Sequence, residues 1–133
     1  HGFILNVAST AGFQPGPNMA VYYASKSFVL SFTQSIAVEL EKSGIGVTCL
    51  CPGPMKTPML EKSGLSRSRI EKSFKPMDPA YVAAVAYRGM VKKKVVIIPG
   101  RKNKFRAFCS RFFSLAEIRR MMAKITAPLP EKK

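Results

Sequence analysis

Residues 45–51 read IGVTCLC, and the proline-rich segment PGPMKTPM follows directly at 52–59. The first segment is a near-continuous apolar run between glycines and prolines. Such a run is typical of a strand that is covered on both faces. Strands of this kind occur in parallel sheets that lie between layers of helices. The stretch therefore predicts a buried parallel strand with a loop at its carboxyl end.

The flanking segments extend this pattern in both directions. A second apolar run, FILNVAS, precedes a loop rich in Gly and Pro at 10–19, and the glycines of SGIG at 43–46 end the helix that follows. Asp78 is a good N-cap, and Pro79 suits the first position of a helix. The predicted elements are strand 3–9, helix 20–42, strand 45–51, helix 79–92, strand 95–100 and helix 101–125.

Strands and helices alternate along this chain, and the connections between the strands are long. This order is typical of an α/β fold in which helices cover both faces of a parallel sheet. Ligands bind to such sheets at the carboxyl ends of the strands. We therefore expect a site formed by Ser9, the loop after Cys51 and the loop after Ile98.

The positive charge is concentrated in the second half of the chain. Residues 1–60 carry a net charge of +1, and residues 61–133 carry +14. We therefore divide the chain into a domain at 1–100 and a basic helix with its tail at 101–133. Phe and Leu alternate with Lys and Arg over 101–125, which favours an anionic membrane surface. The alternative is a helix docked on its own domain or on a partner; nucleic acid is disfavoured because no binding motif is present.

The cysteines indicate a reducing compartment. Cys49 and Cys51 lie on one face of the predicted strand, where a bridge between them would be strained. His1 is the only histidine, and no residues have the spacing of zinc ligands, so we predict no metal site. We expect buried free thiols in a cytoplasmic protein, with peripheral membrane association through the basic segment.

The segment AVYYASKS, residues 20–27, holds two tyrosines within one helical turn of Lys26. Lys26 follows Tyr22 by four residues and Tyr23 by three, so either tyrosine shares a face with it. A phenol exchanges its proton near neutral pH only when a nearby positive charge stabilises the phenolate. By itself the segment fits either a proton-transfer site or a half-exposed helix face with an incidental lysine, and these offsets select neither tyrosine.

Residues 2–59 resemble the C-terminal half of a short-chain dehydrogenase/reductase. That family carries a serine thirteen residues before a tyrosine and a lysine four residues after it, which matches Ser9, Tyr22 and Lys26 and selects Tyr22 over Tyr23. The segment PGPMKT resembles the family's loop that contacts the nicotinamide carboxamide. The resemblance implies part of a Rossmann-like, doubly wound parallel sheet, followed here by a basic amphipathic helix.

The resemblance also implies an NAD- or NADP-dependent oxidoreductase that interconverts a carbonyl and an alcohol. Tyr22 would carry the proton, Ser9 would orient the substrate oxygen, and Lys26 would stabilise the phenolate and bind the nicotinamide ribose. Thr57 and the backbone of Met55 would hold the carboxamide. The expected catalytic residues are Ser9, Tyr22 and Lys26, and the expected cofactor-binding residues are Tyr22, Lys26, Pro52, Gly53, Met55 and Thr57.

Two further expectations concern the substrate and the oligomer. An apolar small molecule is expected, because the predicted mouth of the site is lined by apolar side chains, namely Phe13, Met19, Met55, Met59 and Leu60. Family members often pair through the catalytic helix, so a homo-oligomer through helix 20–42 is also expected.

The family's nucleotide-binding half has no counterpart in the chain. No glycine-rich turn follows a first strand and opens a helix, and His1 directly precedes a strand. We therefore expect a fragment that folds poorly and is inactive alone, with an exposed apolar sheet edge. The alternative is a non-catalytic remnant whose basic helix binds an anionic membrane or a protein partner.

Overall fold

The computed structural model of the chain describes residues 2–58 and 74–127. Parallel strands alternate with helices in this part of the protein. Its elements are β1 (Phe3–Val7), α1 (Ala20–Glu39), β2 (Gly46–Leu50), α2 (Pro79–Val91), β3 (Val96–Ile97), α3 (Arg101–Cys109) and α4 (Leu115–Thr126).

The strands form one parallel sheet in the order β1-β2-β3. Phe3 lies opposite Gly46 and Val7 lies opposite Leu50, so β1 and β2 pair along their whole length. All five residues of β2 are buried. The continuous apolar run of the central strand follows from this position, because neighbours on both sides and helices on both faces exclude water from it.

Helices cover the two faces of the sheet, as the alternating pattern predicts. Odd-numbered residues of the central segment face α1, and even-numbered residues face α2, since side chains alternate along a strand. The cluster on the α1 face contains Ala8, Leu30, Cys49 and Cys51. The cluster on the α2 face contains Leu50, Val82, Ala86 and Ile97. The arrangement is part of a doubly wound, Rossmann-like sheet.

One face of β1 remains open to solvent. Phe3, Leu5 and Val7 are about half exposed, whereas the Asn6 side chain turns towards α1 and donates to Thr33 Oγ1 at 3.1 Å. Among the described strands β1 pairs with β2 alone. The expected apolar edge is therefore present, and it is a surface that other chains can bind.

The predicted boundaries of the first five elements are correct to within a few residues. Helix 20–42 ends at Glu39. A 3₁₀ turn over Glu41–Ser43 follows it, and Gly44 ends that turn in a left-handed conformation, with φ of 78°. Asp78 caps α2 as predicted, accepting a hydrogen bond from the Ala80 amide at 3.3 Å. The segment 61–77, predicted to be irregular with a short helix, lies largely outside the described residues.

The basic C-terminal region is helical, but the prediction of one helix over 101–125 is wrong. It forms α3 and α4, separated by a 3₁₀ turn over Ser110–Phe112. The second helix begins at a capping box. Ser114 Oγ accepts from the Glu117 amide at 3.3 Å, and the Glu117 carboxylate accepts from the Ser114 amide at 2.8 Å. The pattern Ser-x-x-Glu is visible in the sequence and predicts this start.

The last helix packs against the first half of the chain. Ile118 and Met122 form a buried cluster with Ala11 and Tyr23. Asn18 Nδ2 also donates to Thr126 Oγ1 at 3.4 Å. One side of α4 is therefore docked on its own domain, while the division of the chain at residue 100 stays a prediction. No helix in the described ranges is long and apolar enough to cross a membrane.

Replacing Ser114 with alanine should destabilise the protein by about 1 kcal/mol, because the substitution removes the N-cap of α4. The contacts from Ser114 lower the pKa of Glu117. A lowered pKa means that the charged carboxylate stabilises the fold above its unfolded-state pKa, and that this contribution disappears as the pH falls. Urea denaturation at neutral and acidic pH should therefore show a smaller difference between variant and wild type in acid. An equal difference at both pH values would contradict the contribution of the charged Glu117 carboxylate, and no difference at either pH would contradict the capping role.

Candidate active site

The site begins where β1 and β2 end. Backbone pairing continues past both strands, with the Ala8 amide donating to Leu50 O at 2.8 Å and the Thr10 amide donating to Pro52 O at 2.9 Å. Ser9 is thereby held against the proline loop. Its hydroxyl donates to Pro52 O at 3.3 Å and accepts from the Ala11 amide at 3.1 Å. The serine is buried, and its hydroxyl has a fixed position.

The two tyrosines occupy different environments. Tyr23 is buried against α4, and the Gly16 backbone lies directly over its ring. Burial, with a smaller contribution from Tyr22, raises the pKa of Tyr23 to about 12. This phenol keeps its proton, which makes it a poor acid or base near neutral pH. Tyr22 is only partly buried, and its ring meets that of Tyr23 edge-on at 5.9 Å between centroids.

Lys26 links the helix to the end of β1. Its ammonium donates to Val7 O at 3.2 Å and lies 5.8 Å from the centroid of the Tyr22 ring. An ammonium carries three N–H donors. No other hydrogen bond of this ammonium is made within the described part of the chain. Lys26 therefore brings a positive charge to Tyr22 and has donors left for a ligand.

The proline-glycine loop is fixed by a short bridge to the segment before α2. The Met77 amide donates to Pro54 O at 2.9 Å, and the Lys56 amide donates to Met77 O at 3.1 Å. These bonds hold Met55 in an extended conformation at the strand end. A loop with a fixed backbone can present its amide groups to a ligand without ordering cost.

Asn103 of α3 closes the other side of this loop. A Cβ at Gly53 would lie 2.6 Å from Asn103 Nδ2, so the absence of a side chain at Gly53 is what allows the helix to approach. Asn103 Nδ2 donates to Pro99 O at 3.1 Å, which keeps the amide in place. Asn103 was not predicted as a site residue, because nothing in the local sequence pattern indicates that α3 reaches the loop.

A cavity of about 650 Å³ connects these elements. The structure brings together every expected site residue in its wall, namely Ser9, Tyr22, Lys26, Pro52, Gly53, Met55 and Thr57. Phe13 and Met19 also line it, as expected for the apolar mouth, whereas Met59 and Leu60 lie outside the described residues.

The C-terminal helices contribute to this wall, which was not predicted from the sequence. The apolar lining from α4 and the connection before it consists of Phe113, Ile118, Met121, Met122 and Ile125. The four members in α4 recur at spacings of three and four residues, which indicates one helical face. The spacing does not say whether that face meets a membrane or the protein's own domain. Arg106 lines the same cavity and stacks on Phe74, with its guanidinium carbon 4.3 Å from the ring centroid.

Cys109 lines the cavity, whereas Cys49 and Cys51 lie in the core beneath it. All three cysteines are free thiols, and Cys49 Sγ lies 3.7 Å from Cys51 Sγ in the buried core. The pKa of Cys51 is raised because its thiol proton is shared with Cys49 and because burial disfavours a thiolate. Within residues 2–58 and 74–127 no group of His, Cys, Asp or Glu is arranged to hold a metal ion.

The wall of the cavity fits a nicotinamide group. Lys26 and Thr57 offer hydrogen-bond donors, and Gly53 allows a ligand to approach the backbone of the loop closely. The described lining residues include no carboxylate that would repel a phosphate or a carboxamide oxygen. This arrangement can hold a polar ring at the loop and an apolar molecule beside Tyr22.

Comparison with known proteins agrees with this geometry. Residues 1–68 match the family model described as short chain dehydrogenase. Over 62 residues the chain is 45% identical to 15-hydroxyprostaglandin dehydrogenase [NAD(+)] of Rattus norvegicus. The aligned segment covers 45% of this chain and 23% of that protein.

Solved structures resemble nearly the whole chain. A structure from work on the stereoselectivity of 7β-hydroxysteroid dehydrogenase superposes with a TM-score of 0.74 at 27% identity, covering 92% of this chain and 46% of that one. A short-chain dehydrogenase from Sphingobium yanoikuyae in complex with NADPH gives a TM-score of 0.65 at 27% identity, covering 83% and 42%.

The chain therefore spans less than half the length of these relatives. The family model covers half of the chain, and the matched part includes the serine, the tyrosine, the lysine and the proline-glycine loop that line the cavity. The chain belongs to the short-chain dehydrogenase family.

Proposed function

We propose that this chain supplies the catalytic half of a nicotinamide-dependent oxidoreductase that interconverts a carbonyl and an alcohol on an apolar small molecule. The observation that carries the proposal is the convergence of Ser9, Tyr22 and Lys26 with the proline-glycine loop on one cavity. These groups come from three separate segments of the chain. They meet at the carboxyl ends of the parallel strands, and ligands bind to such sheets at this edge.

Each residue has a distinct role in this proposal. Tyr22 donates its phenolic proton to the carbonyl oxygen during reduction and takes it back during oxidation. Lys26 stabilises the phenolate between these events, because its ammonium lies on the same side of the helix. Ser9 has one O–H donor, so it would exchange its long bond to Pro52 O for a hydrogen bond to the substrate oxygen and hold that oxygen near Tyr22.

A nicotinamide cofactor, when bound, would supply or accept the hydride at this site. Lys26 would bind its ribose hydroxyls, and Thr57 with the backbone of Met55 would bind its carboxamide. Both NAD and NADP are candidates, since the rat relative is named for NAD(+) and the Sphingobium structure holds NADPH. Apolar substrates are favoured by the wall of the cavity, where Phe13, Met19 and the side chains of α4 lie.

Two further expectations remain proposals. Pairing through the outer face of α1 is supported by exposed Val21 and Phe28 and by the stacked rings of Phe28 and Phe32, 5.9 Å apart.

A cytoplasmic location is supported by the three free thiols, which persist where disulfides are kept reduced.

The proposal is tested by measuring NADH and NADPH binding and turnover with apolar ketones and secondary alcohols. We expect no hydride transfer from residues 1–133 alone, because β1 exposes an apolar face and no nucleotide-binding half is present in the chain. Activity is expected when a nucleotide-binding half is joined upstream of β1. Turnover by residues 1–133 alone would contradict the expected inactivity. A joined protein that binds the cofactor but never turns over would instead support the non-catalytic remnant.

A further inference from the structure

The outer face of α3 carries a stripe of phenylalanines. Phe105, Phe108 and Phe112 recur at spacings of three and four residues, so they lie on one face of the helix and the turn that follows. Their side chains are 67%, 55% and 72% exposed. The rings of Phe108 and Phe112 touch edge-on, with 5.1 Å between their centroids. Water thus surrounds a contiguous aromatic surface, which is uncommon unless the surface binds something.

The opposite face of α3 lines the cavity. Asn103, Ala107 and Ser110 follow the same helical spacing half a turn away, and all three line the cavity. Asn103 also contacts the proline-glycine loop. The phenylalanine stripe cannot therefore turn inwards to fill the domain core without removing α3 from the site.

The surroundings of the stripe are strongly positive. Arg101, Lys102, Lys104 and Arg111 are exposed on the same helix and turn. Glu117 is the only acidic residue between positions 101 and 127, and its carboxylate already accepts from the Ser114 amide and hydroxyl at 2.8 and 2.7 Å. A partner that binds the phenylalanine stripe must therefore offer an apolar region to the rings and negative charges to the flanking Lys and Arg side chains.

We propose that the outer face of α3 binds an anionic phospholipid surface, with Phe105, Phe108 and Phe112 inserted between the headgroups and the flanking Lys and Arg side chains at the level of the phosphates. An anionic bilayer is apolar inside and negative at its surface, and it therefore complements this face in both respects. A second copy of the same face would bring together two positively charged surfaces. The inference does not depend on the proposed oxidoreductase activity.

This orientation has a consequence for access to the cavity. The membrane-facing stripe and the cavity-lining residues lie on opposite sides of one helix, which is roughly 10 Å across. An apolar compound dissolved in the bilayer would thus lie about one helix diameter from the cavity.

The proposal is tested by sedimenting the purified protein with vesicles. We expect binding to phosphatidylcholine vesicles with about 30% phosphatidylserine at low salt, weak binding to pure phosphatidylcholine, and loss of much of the binding at roughly 0.5 M salt. The triple variant Phe105→Ser, Phe108→Ser and Phe112→Ser should lower the partition coefficient by on the order of 100-fold, since each buried ring contributes apolar transfer energy.

A matched control substitutes exposed apolar residues elsewhere. Tyr81, Tyr87 and Val91 of α2 are 48%, 65% and 50% exposed, and their triple replacement by serine should leave vesicle binding unchanged. Circular dichroism of both triple variants establishes that they are folded. Comparison of the two triple variants distinguishes insertion of the α3 stripe from non-specific binding of exposed apolar side chains to vesicles.

A second pair of variants examines the charges. Replacing Lys102, Lys104 and Arg111 with glutamine should reduce binding by roughly 100-fold, at about 1 kcal/mol for each cation near the surface. The same replacement of Arg88, Lys92 and Lys94, near the end of α2, removes equal charge and should have little effect. Failure to bind the anionic vesicles at low salt would overturn the proposal. The proposal would also be overturned if the serine variant of α3 still bound the vesicles. It would likewise be overturned if that variant changed only the oligomeric state or the binding of another protein.

Discussion

Replacing Tyr22 with phenylalanine is expected to lower kcat by a factor of about 10³ in the protein that binds its nicotinamide cofactor. The variant loses only the phenolic oxygen, so the ring still fills its place beside Tyr23. Substrate and cofactor binding should therefore persist while proton transfer fails. Steady-state kinetics with separate determination of kcat, KM and cofactor affinity distinguishes the two effects.

The neighbouring tyrosine provides the matched control. Tyr23→Phe should retain kcat within a few-fold, because the phenol of Tyr23 is buried and its raised pKa of about 12 keeps it protonated. A comparable loss from Tyr23→Phe, or near-normal kcat in Tyr22→Phe, would overturn the assignment of the proton donor. The family spacing and the burial of Tyr23 lead independently to the same tyrosine.

Replacing Gly16 with alanine is expected to destabilise the protein by about 2–3 kcal/mol. A Cβ at this position would lie 2.2 to 2.4 Å from three ring carbons of Tyr23. Ala11, Ile118 and Met122 pack against the ring. The substitution must therefore displace the loop, the ring or α4. Urea denaturation monitored by circular dichroism measures the loss.

Gly2→Ala is the control for this substitution. Nothing lies within 4 Å of a Cβ built at Gly2, so the same chemical change should alter the free energy of unfolding by less than about 0.5 kcal/mol. Equal stability of the two variants would show that Gly16 and Tyr23 are not in close contact. A destabilised Gly16→Ala variant should also lose activity, because Tyr22 is adjacent to the displaced ring.

Local patterns were sufficient to predict the order of strands and helices. The apolar run at 45–51 predicts a strand buried on both faces, and β2 is buried at all five positions. Asp78 and Pro79 predict the start of α2 correctly. These features depend on residues that are close in sequence, and the physical causes of strand burial and helix capping act over a few residues.

The break between α3 and α4 was missed for a different reason. Amphipathic spacing over 101–125 predicts one helix, and that prediction took no account of the capping box that Ser114 and Glu117 form. The same spacing also occurs on two helix faces that lie in different environments, one on α4 and one on α3. Ile118 and Met122 pack on Tyr23, whereas Phe105 and Phe108 remain in water. Periodicity defines a face of a helix, but it does not say what covers that face.

The sequence by itself determined the α/β class, the family and the positions of Ser9, Tyr22 and Lys26. The class follows from the alternation of strands and helices along the chain, and the other two follow from spacings within the first sixty residues. Only the tertiary structure decided which surfaces these residues share. Tyr23 is buried by a helix about a hundred residues away, and Gly53 is approached by Asn103 across fifty residues. Such contacts depend on how the elements pack, and packing is set by the shapes of distant side chains rather than by any local pattern.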